Sequence, residues 1–206
     1  MSSCCKKGLP ASTMLLRNNI SNTLTGKYAV ADYIKTRARC MPDNINALLE
    51  EPPDYNYGTA VWLFEHVRQI CRDIGFLLAE LKDDCTSDTC VEMRVTDQFH
   101  YLCAAHVGTK NCCAIDYAVH TLEGTVSALN NSQAFPNNLD IENKNIKKFR
   151  TMLRRLYRIL AHAHFHHTAI FEDYEKRNHL VLRIHSLSHK YQLIDSDQLT
   201  IPGYRR

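Results

Sequence analysis

The amino-acid sequence predicts an all-α fold with a four-helix-bundle core and one small β-hairpin. Seven glycines and six prolines occur in 206 residues, about half the average share for globular proteins, so long helices are favoured over many short strands. Apolar side chains recur at helical spacing in several segments, whereas only one segment alternates as a strand does. We expect four or more amphipathic helices to bury one core.

The sequence of the first half of the chain predicts a tail and three helices. Residues 1–24 lack apolar periodicity and are expected to be a flexible tail before one domain, residues 25–206. Two short helices are expected in residues 28–49, before the prolines at 52–53. The clearest helix is Thr59–Lys82, with Thr59 as its N-cap. Its apolar stripe consists of Leu63, Val67, Ile70, Ile74, Leu77 and Leu81.

The sequence of the second half of the chain predicts a hairpin and three more helical segments. Residues 91–103 alternate weakly across a polar break, which favours a β-hairpin. A helix is expected over residues 116–129 and a loop over residues 130–138. Residues 143–174 are expected to form one long helical stretch, and residues 180–191 a last helix. The inner stripe of the long stretch is Ile146, Phe149, Leu153, Leu156, Leu160 and Ala163.

Cysteine usage and apolar runs predict a cytoplasmic protein. No run of 18 apolar residues occurs, so no membrane-spanning helix is expected, and the N-terminus has no apolar core of signal-peptide length. The nine cysteines are an odd number, which argues against a closed disulfide framework. In a reducing compartment, closely spaced cysteines are better interpreted as metal ligands or small buried side chains.

Two distant segments have the ligand types of a structural zinc site. Cys85 and Cys90 form a Cys-x4-Cys element directly after a predicted helix, and residues 162–167 contain four histidines. Thiolate and imidazole ligands together suit tetrahedral zinc. Because the two segments are far apart in sequence, a zinc ion would fasten a loop onto a helix. The alternative is that the cysteines are buried and the histidines form a polar helix face.

Helical spacing leaves the choice of histidines open. His162 and His166 share one face, and so do His164 and His167. His162 and His167 lie about 140° apart on a regular helix, so that pair requires a break near residues 163–165. Spacing by itself favours His162 with His166. A second and weaker cluster is possible from Cys103, His106, Cys112 and Cys113.

A strongly basic segment precedes the histidines. Seven Lys and Arg side chains and no acid occur between Lys144 and Arg158. Arg150, Arg154 and Arg158 are spaced to share one helix face, and arginine forms bidentate contacts with phosphate. An anion site is therefore one interpretation, and a solvated face paired with acids is the other. Nucleic acid is a weaker interpretation, since the net charge is only +3 and no stacking aromatics are interleaved.

The order of these motifs resembles the Mob/phocein family, and most closely its phocein branch. The resemblance runs from about residue 28 to residue 202. It rests on the following strings: Glu51-Pro52-Pro53; Trp62-x2-Glu65-His66-x-Arg68-Gln69-x-Cys71; Cys85-x4-Cys90; Leu102-Cys103-Ala104-Ala105-His106; Ala114-Ile115-Asp116-Tyr117; His120-Thr121-Leu122-x-Gly124; Phe135-Pro136; Arg154-Arg155-x-Tyr157-Arg158-Ile159; His162-Ala163-x-Phe165-His166-His167.

The resemblance implies one structural zinc ion and a phosphopeptide pocket. The family's zinc ligands correspond to Cys85, Cys90, His162 and His167, which requires a helix break at the site. The basic pocket that some members use to bind phosphopeptides corresponds to Arg154, Arg155 and Arg158. Family members are non-catalytic adaptors of protein kinases, and phocein-like members are associated with striatin-type phosphatase–kinase assemblies.

The remaining alternatives concern function and location. A zinc hydrolase is disfavoured, because four protein ligands close the zinc shell and no His-Glu-x-x-His motif occurs. A zinc-containing nucleic-acid-binding module is an alternative of similar weight. Trp62 is either a core residue or a partner anchor. Acylation of Cys4 and Cys5, beside two lysines, would add membrane contact.

Overall fold

The structure, a computed structural model, describes residues 29–135 and 141–204. The predicted tail, with Cys4 and Cys5, and the last part of the predicted 130–138 loop lie outside these residues. The elements are α1 (Ala29–Cys40), α2 (Ile45–Leu49), α3 (Thr59–Leu81), β1 (Arg94–Thr96), β2 (Phe99–His100), α4 (Ala114–Leu129), a 3-10 turn (Asn143–Asn145), α5 (Ile146–His166), α6 (Thr168–Asn178) and α7 (Leu180–Tyr191). The described chain is therefore mainly helical with one hairpin, as predicted.

Helix α3 lies at the centre of the fold. It packs against α1, α4, α5 and α6, and α4 and α5 also pack against each other. All six residues of the predicted α3 stripe are buried, because their three- and four-residue spacing places them on one face. Trp62 is also completely buried and packs against the rings of Tyr33 and Tyr55. The core interpretation of Trp62 is correct, and the partner-anchor interpretation is wrong.

Three local predictions need correction. Gly58, with φ of +84°, is the N-cap of α3, and Thr59 is the first helical residue. The long helical stretch is interrupted at His167, whose φ of −135° and ψ of 47° separate α5 from α6. The hairpin is much shorter than residues 91–103, since only Arg94–Thr96 pairs with Phe99–His100. Apolar spacing continues across the α5–α6 junction with Phe171 and Tyr174, so it does not mark that boundary.

A second pair of backbone hydrogen bonds follows the hairpin. The N–H of Cys103 donates to the carbonyl of Lys110 at 2.7 Å, and the N–H of Lys110 donates to the carbonyl of Cys103 at 3.1 Å. Gly108 adopts a φ of +76° inside this loop, a conformation that glycine tolerates without steric cost. Residues 103–110 therefore form a closed loop that the sequence did not predict.

Within the described residues, no helix combines the length and the apolar character that crossing a membrane requires.

Buried His66 makes the stability of the fold sensitive to acid. Its ring packs edge-on against Trp62 at 4.8 Å, and burial, reinforced by the charges of Arg183 and Lys190, lowers the pKa of His66 well below the ordinary 6.5. As the pH falls below 6.5, the unfolded chain binds a proton at this imidazole that the folded chain does not. The contribution of His66 to the free energy of unfolding is fully present above pH 6.5. Below that pH it decreases by up to about 1.4 kcal/mol per pH unit.

We expect the variant His66→Phe to lose less stability than the wild type between pH 6.5 and 5, because phenylalanine binds no proton. The measurement is the free energy of urea unfolding at several pH values in that range. His189→Gln, at an exposed position of α7, is the control and should keep the wild-type slope. Identical slopes for His66→Phe and the wild type would contradict this assignment.

Candidate metal centre and basic groove

The two cysteines of the predicted metal site lie in a tight turn after α3. The N–H of Cys85 donates to the carbonyl of Leu81 at 2.8 Å, so the turn continues directly from the helix. The hydroxyl of Thr89 accepts a hydrogen bond from the N–H of Thr86 at 2.9 Å and donates to the carbonyl of Asp84 at 2.7 Å. These local bonds hold the Cys-x4-Cys segment in one conformation, with both thiols on the side of α5.

The two histidines come from the end of α5. The Nδ1 atom of His162 lies 2.6 Å from the backbone carbonyl of Arg94 in β1. A carbonyl can only accept, so Nδ1 carries the proton and the Nε2 lone pair of the neutral ring is available as a ligand. His167 terminates α5, and its own Nε2 atom lies beside Cys90. Hydrogen bonding thus selects the tautomer of His162 that a metal requires.

Four ligand atoms converge at this point. The Cys85 sulfur lies 3.5 Å from Nε2 of His162, and the Cys90 sulfur lies 3.4 Å from Nε2 of His167. All four ligand atoms lie within 4.8 Å of one another. A tetrahedral zinc shell separates a sulfur and a nitrogen by about 3.6 Å, given bonds of about 2.3 Å and 2.0–2.1 Å. The set therefore fits a metal ion in both ligand chemistry and spacing.

Burial keeps both histidine rings neutral and disfavours the charged form of the Cys85 thiol. It lowers the pKa of His162 to about 4, with a partial opposing effect from the Arg94 carbonyl. Burial also lowers the pKa of His167, so both rings are neutral at neutral pH. Burial, together with the neighbouring Cys90, raises the pKa of the Cys85 thiol to about 12. A bound cation would supply the positive charge that two thiolates need here.

Helical spacing favoured His166 as the second histidine, whereas the convergent ligand atoms include one from His167. Helix α5 continues through residues 163–165 and ends at His166, so the break lies at His167 and not where it was expected. The ring of His166 stacks on His162 at 4.7 Å, but the converging ligand atoms include His167 and not His166. His164 instead packs against Phe171.

A pair of variants tests which histidine binds the metal. We expect His167→Ala to lower the zinc affinity by tenfold or more, because it removes one of four ligands. His166→Ala should keep the wild-type affinity and serves as the matched control on the neighbouring residue. Competition titration with a chromogenic zinc chelator measures both values. Loss of zinc from His166→Ala with retention in His167→Ala would contradict the assignment.

A basic groove lies between α4, α5 and the loop after the hairpin. Its volume is about 680 Å³. Within the described residues, its lining contains four cationic side chains and no carboxylate; the cations are Lys147, Lys148, Arg155 and Arg158. Threonine hydroxyls and tyrosine add hydrogen-bonding groups, from Tyr117, Thr121, Thr125 and Thr151. The groove can therefore hold an anion with several donors.

Two of the three predicted arginines line this groove. The guanidinium of Arg158 lies 4.0 Å from the centre of the Tyr101 ring and donates to the Tyr117 hydroxyl at 3.1 Å. These contacts fix its planar group at the groove wall. Arg155 lies one turn before Arg158 in α5, lines the groove and is exposed, whereas Arg154 is not a lining residue. The helical face proposed for Arg150, Arg154 and Arg158 thus differs from the face at the groove.

The weaker second cluster also exists, with one member changed. Cys103, His106 and Cys112 converge as expected, but the fourth member is His120 and not Cys113. Cys113 instead lies close enough to Cys85 to raise the pKa of that thiol. His120 belongs to α4, and no sequence spacing connects it with the loop. The fold of the closed loop of residues 103–110 brings its cysteine and histidine side chains close to His120.

Comparison with known proteins identifies relatives along most of the chain. Residues 37–202 match the Mob1/phocein family. The chain is 38% identical over 174 residues to the Drosophila melanogaster protein named "MOB kinase activator-like 4", covering 84% of this chain and 77% of the relative. It is 36% identical over 173 residues to the Caenorhabditis elegans "MOB-like protein phocein", with the same two coverages.

Proposed function

The chain belongs to the Mob1/phocein family, and we propose that it is a non-catalytic adaptor that binds phosphorylated segments of protein kinases or of striatin-type phosphatase–kinase assemblies. The Drosophila relative is named as a kinase activator-like protein, which supports a regulatory rather than a catalytic role. The proposal transfers that regulatory role to this chain and locates the partner contact in the basic groove.

The single observation that carries the proposal is the charge of the groove. Four cations without a carboxylate in the described lining suit a doubly charged phosphate better than a neutral peptide. Arg158 is already held by Tyr101 and Tyr117, so little side-chain entropy remains to be lost when it binds phosphate. The groove volume of about 680 Å³ leaves room for peptide residues beside the phosphate.

We assign a structural zinc ion to Cys85, Cys90, His162 and His167. Zinc supplies a rigid tetrahedral link without redox chemistry. These residues hold the turn after α3 against the end of α5, and the Arg94 carbonyl orients His162 from β1. The link therefore joins three elements, and α5 is the helix that also provides Arg155 and Arg158.

Closed coordination supports an adaptor over a zinc hydrolase. Four protein ligands fill a tetrahedral shell, whereas a catalytic zinc ion keeps one position for water. A surface depression of about 470 Å³ adjoins Cys90 and His167, but both of these residues are assigned as ligands. Because free thiols are needed for this site, the proposal places the protein in the cytoplasm, a reducing compartment.

The proposal is tested with a peptide array. Phosphoserine and phosphothreonine peptides from protein kinases and striatin-type scaffolds are placed beside their unphosphorylated twins and probed with the purified chain. We expect a subset of phosphorylated peptides to bind and their twins not to bind. Duplex and single-stranded oligonucleotides serve as competitors. Absence of any phosphorylated preference, or displacement by oligonucleotides at lower concentrations than by phosphopeptides, would reject the proposal.

A further inference from the structure

A second group of metal-ligand side chains lies about the loop after the hairpin. The Cys103 sulfur lies 3.6 Å from Nδ1 of His120, and Nε2 of His106 lies 3.0 Å from the Cys112 sulfur. The Cys112 sulfur lies 4.0 Å from the same Nδ1 of His120. All four ligand atoms lie within 4.8 Å of one another. We propose that Cys103, His106, Cys112 and His120 form a second structural zinc site, which fixes one wall of the basic groove.

The ligand chemistry of this group suits zinc. Two thiols and two imidazoles make the mixed set that zinc accepts in tetrahedral structural sites. The observed sulfur–nitrogen separations bracket the tetrahedral value of about 3.6 Å. The rings of His106 and His120 stand at 86° to each other, with centres 4.9 Å apart. Their ligand nitrogens thus reach the thiols from different directions, as a tetrahedral shell requires.

Packing does not account for the order of this loop. Among residues 102–111, only Cys103 is buried and His106 is half-buried, and the other eight are exposed. Val107 is fully exposed at the tip. A ten-residue segment that buries so little surface gains little hydrophobic stabilisation to offset its conformational entropy. A metal that links the loop to α4 would supply the missing free energy, as it does in small zinc domains.

The location of the cluster gives it a consequence for the groove. Leu102, Cys103, Ala104 and Ala105 line the groove from the loop, and His120 lines it from α4. Tyr101, the residue before this segment, carries the ring that packs on Arg158. A metal at this cluster would therefore fix the position of the loop wall relative to the Arg158 guanidinium. This consequence rests on the proposed function of the groove, whereas the site itself does not.

The two zinc sites would be adjacent along the chain and yet separate. Cys112 faces the second cluster, and its neighbour Cys113 lies near Cys85 of the first. The N–H of Ala114 donates to the carbonyl of Cys90 at 2.9 Å, so the start of α4 is bonded to the first site. Cys113→Ser is accordingly a matched control for Cys112→Ser, because it removes the neighbouring thiol without removing an assigned ligand.

The test is zinc content per chain, measured by mass spectrometry of the full-length protein purified without a metal-affinity tag. We expect about two zinc ions in the wild type and in Cys113→Ser, and about one in Cys112→Ser and in His106→Ala. Hydrogen exchange of residues 102–111 should accelerate in Cys112→Ser. One zinc ion in the wild type, with none in Cys85→Ser, would overturn the second site. Retention of two ions by Cys112→Ser would overturn its ligand assignment.

A titration that needs no variant accompanies this test. The metal-free wild type is titrated with Co²⁺, whose thiolate charge-transfer absorbance reports cysteine ligation. We expect the absorbance to rise until about two equivalents have been added, and an end point at one equivalent would overturn the proposal. Metal content is independent of phosphopeptide affinity. Failure of the groove proposal would therefore leave the second site standing, and the reverse is also true.

Discussion

Replacing Cys85 with Ser is expected to release one zinc ion and to lower the melting temperature by about 8–16 °C. The proposed metal link would join the turn after α3 to α5 and, through His162, to β1. A ligand present at a thousandfold excess over its dissociation constant stabilises the folded state by about 4 kcal/mol. For a chain of this size, each kcal/mol corresponds to about 2–4 °C. Thermal unfolding in the presence of buffered zinc measures the shift.

Ser87→Ala is the control for this experiment. Ser87 is exposed in the same turn as Cys85 and Cys90, so its replacement changes a side chain of the loop without changing an assigned ligand. It should keep both its zinc and its melting temperature. The assignment fails if Cys85→Ser retains zinc, or if it loses zinc and still unfolds at the wild-type temperature.

The second large effect is expected at the groove. Replacing Arg155 and Arg158 with Ala should weaken binding of a phosphopeptide by at least a hundredfold and leave binding of its unphosphorylated twin unchanged. Hydrogen bonds to charged groups contribute about 1.5–3 kcal/mol each, and two such contacts are removed. Arg158→Lys should recover only part of the affinity, because an ammonium group reproduces neither the bidentate contact nor the packing on Tyr101.

Other cations of the same segment are the controls. Lys144 pairs with Glu142 at 2.7 Å and lies outside the groove lining, so Lys144→Ala removes one positive charge, half the change in the double variant, without removing a groove donor. It should bind the phosphopeptide as the wild type does. Arg154→Ala distinguishes the sequence-based set of three arginines from the two that line the groove. Equal losses of binding free energy per charge removed, in Lys144→Ala and in the double variant, would show that only net charge matters.

Sequence periodicity located helix α3 correctly, although residues 60–67 at its start are buried on every face. The α3 stripe from Leu63 to Leu81 is buried throughout, since three- and four-residue spacing defines a face without reference to any other part of the chain. The interruption at His167 was not placed by periodicity, because α6 continues apolar spacing with Phe171 and Tyr174. The predicted hairpin was also too long, since Val91 is exposed and lies outside β1.

In the candidate sites too, residues that meet within one turn could be predicted from the sequence, whereas residues that folding brings together from distant segments could not. The pair Cys85 and Cys90 was identifiable from spacing, because both side chains lie in one turn. The choice of His167 over His166 depends on a change of backbone direction, which only the family resemblance indicated. His120 was missed as a member of the second cluster, because its approach to Cys103 and Cys112 is created by folding of the 103–110 loop. Arg155 was placed in the pocket by the resemblance and lies in the groove.

The most direct measurement of the central claim is calorimetry with one matched peptide pair. The best phosphopeptide from the array and its unphosphorylated twin are titrated separately into the zinc-loaded wild-type chain at fixed ionic strength. We predict at least a tenfold preference for the phosphorylated peptide, since even one charge-assisted contact contributes about 1.5–3 kcal/mol. Equal affinities for the two peptides would contradict the account, because the groove would then hold no phosphate.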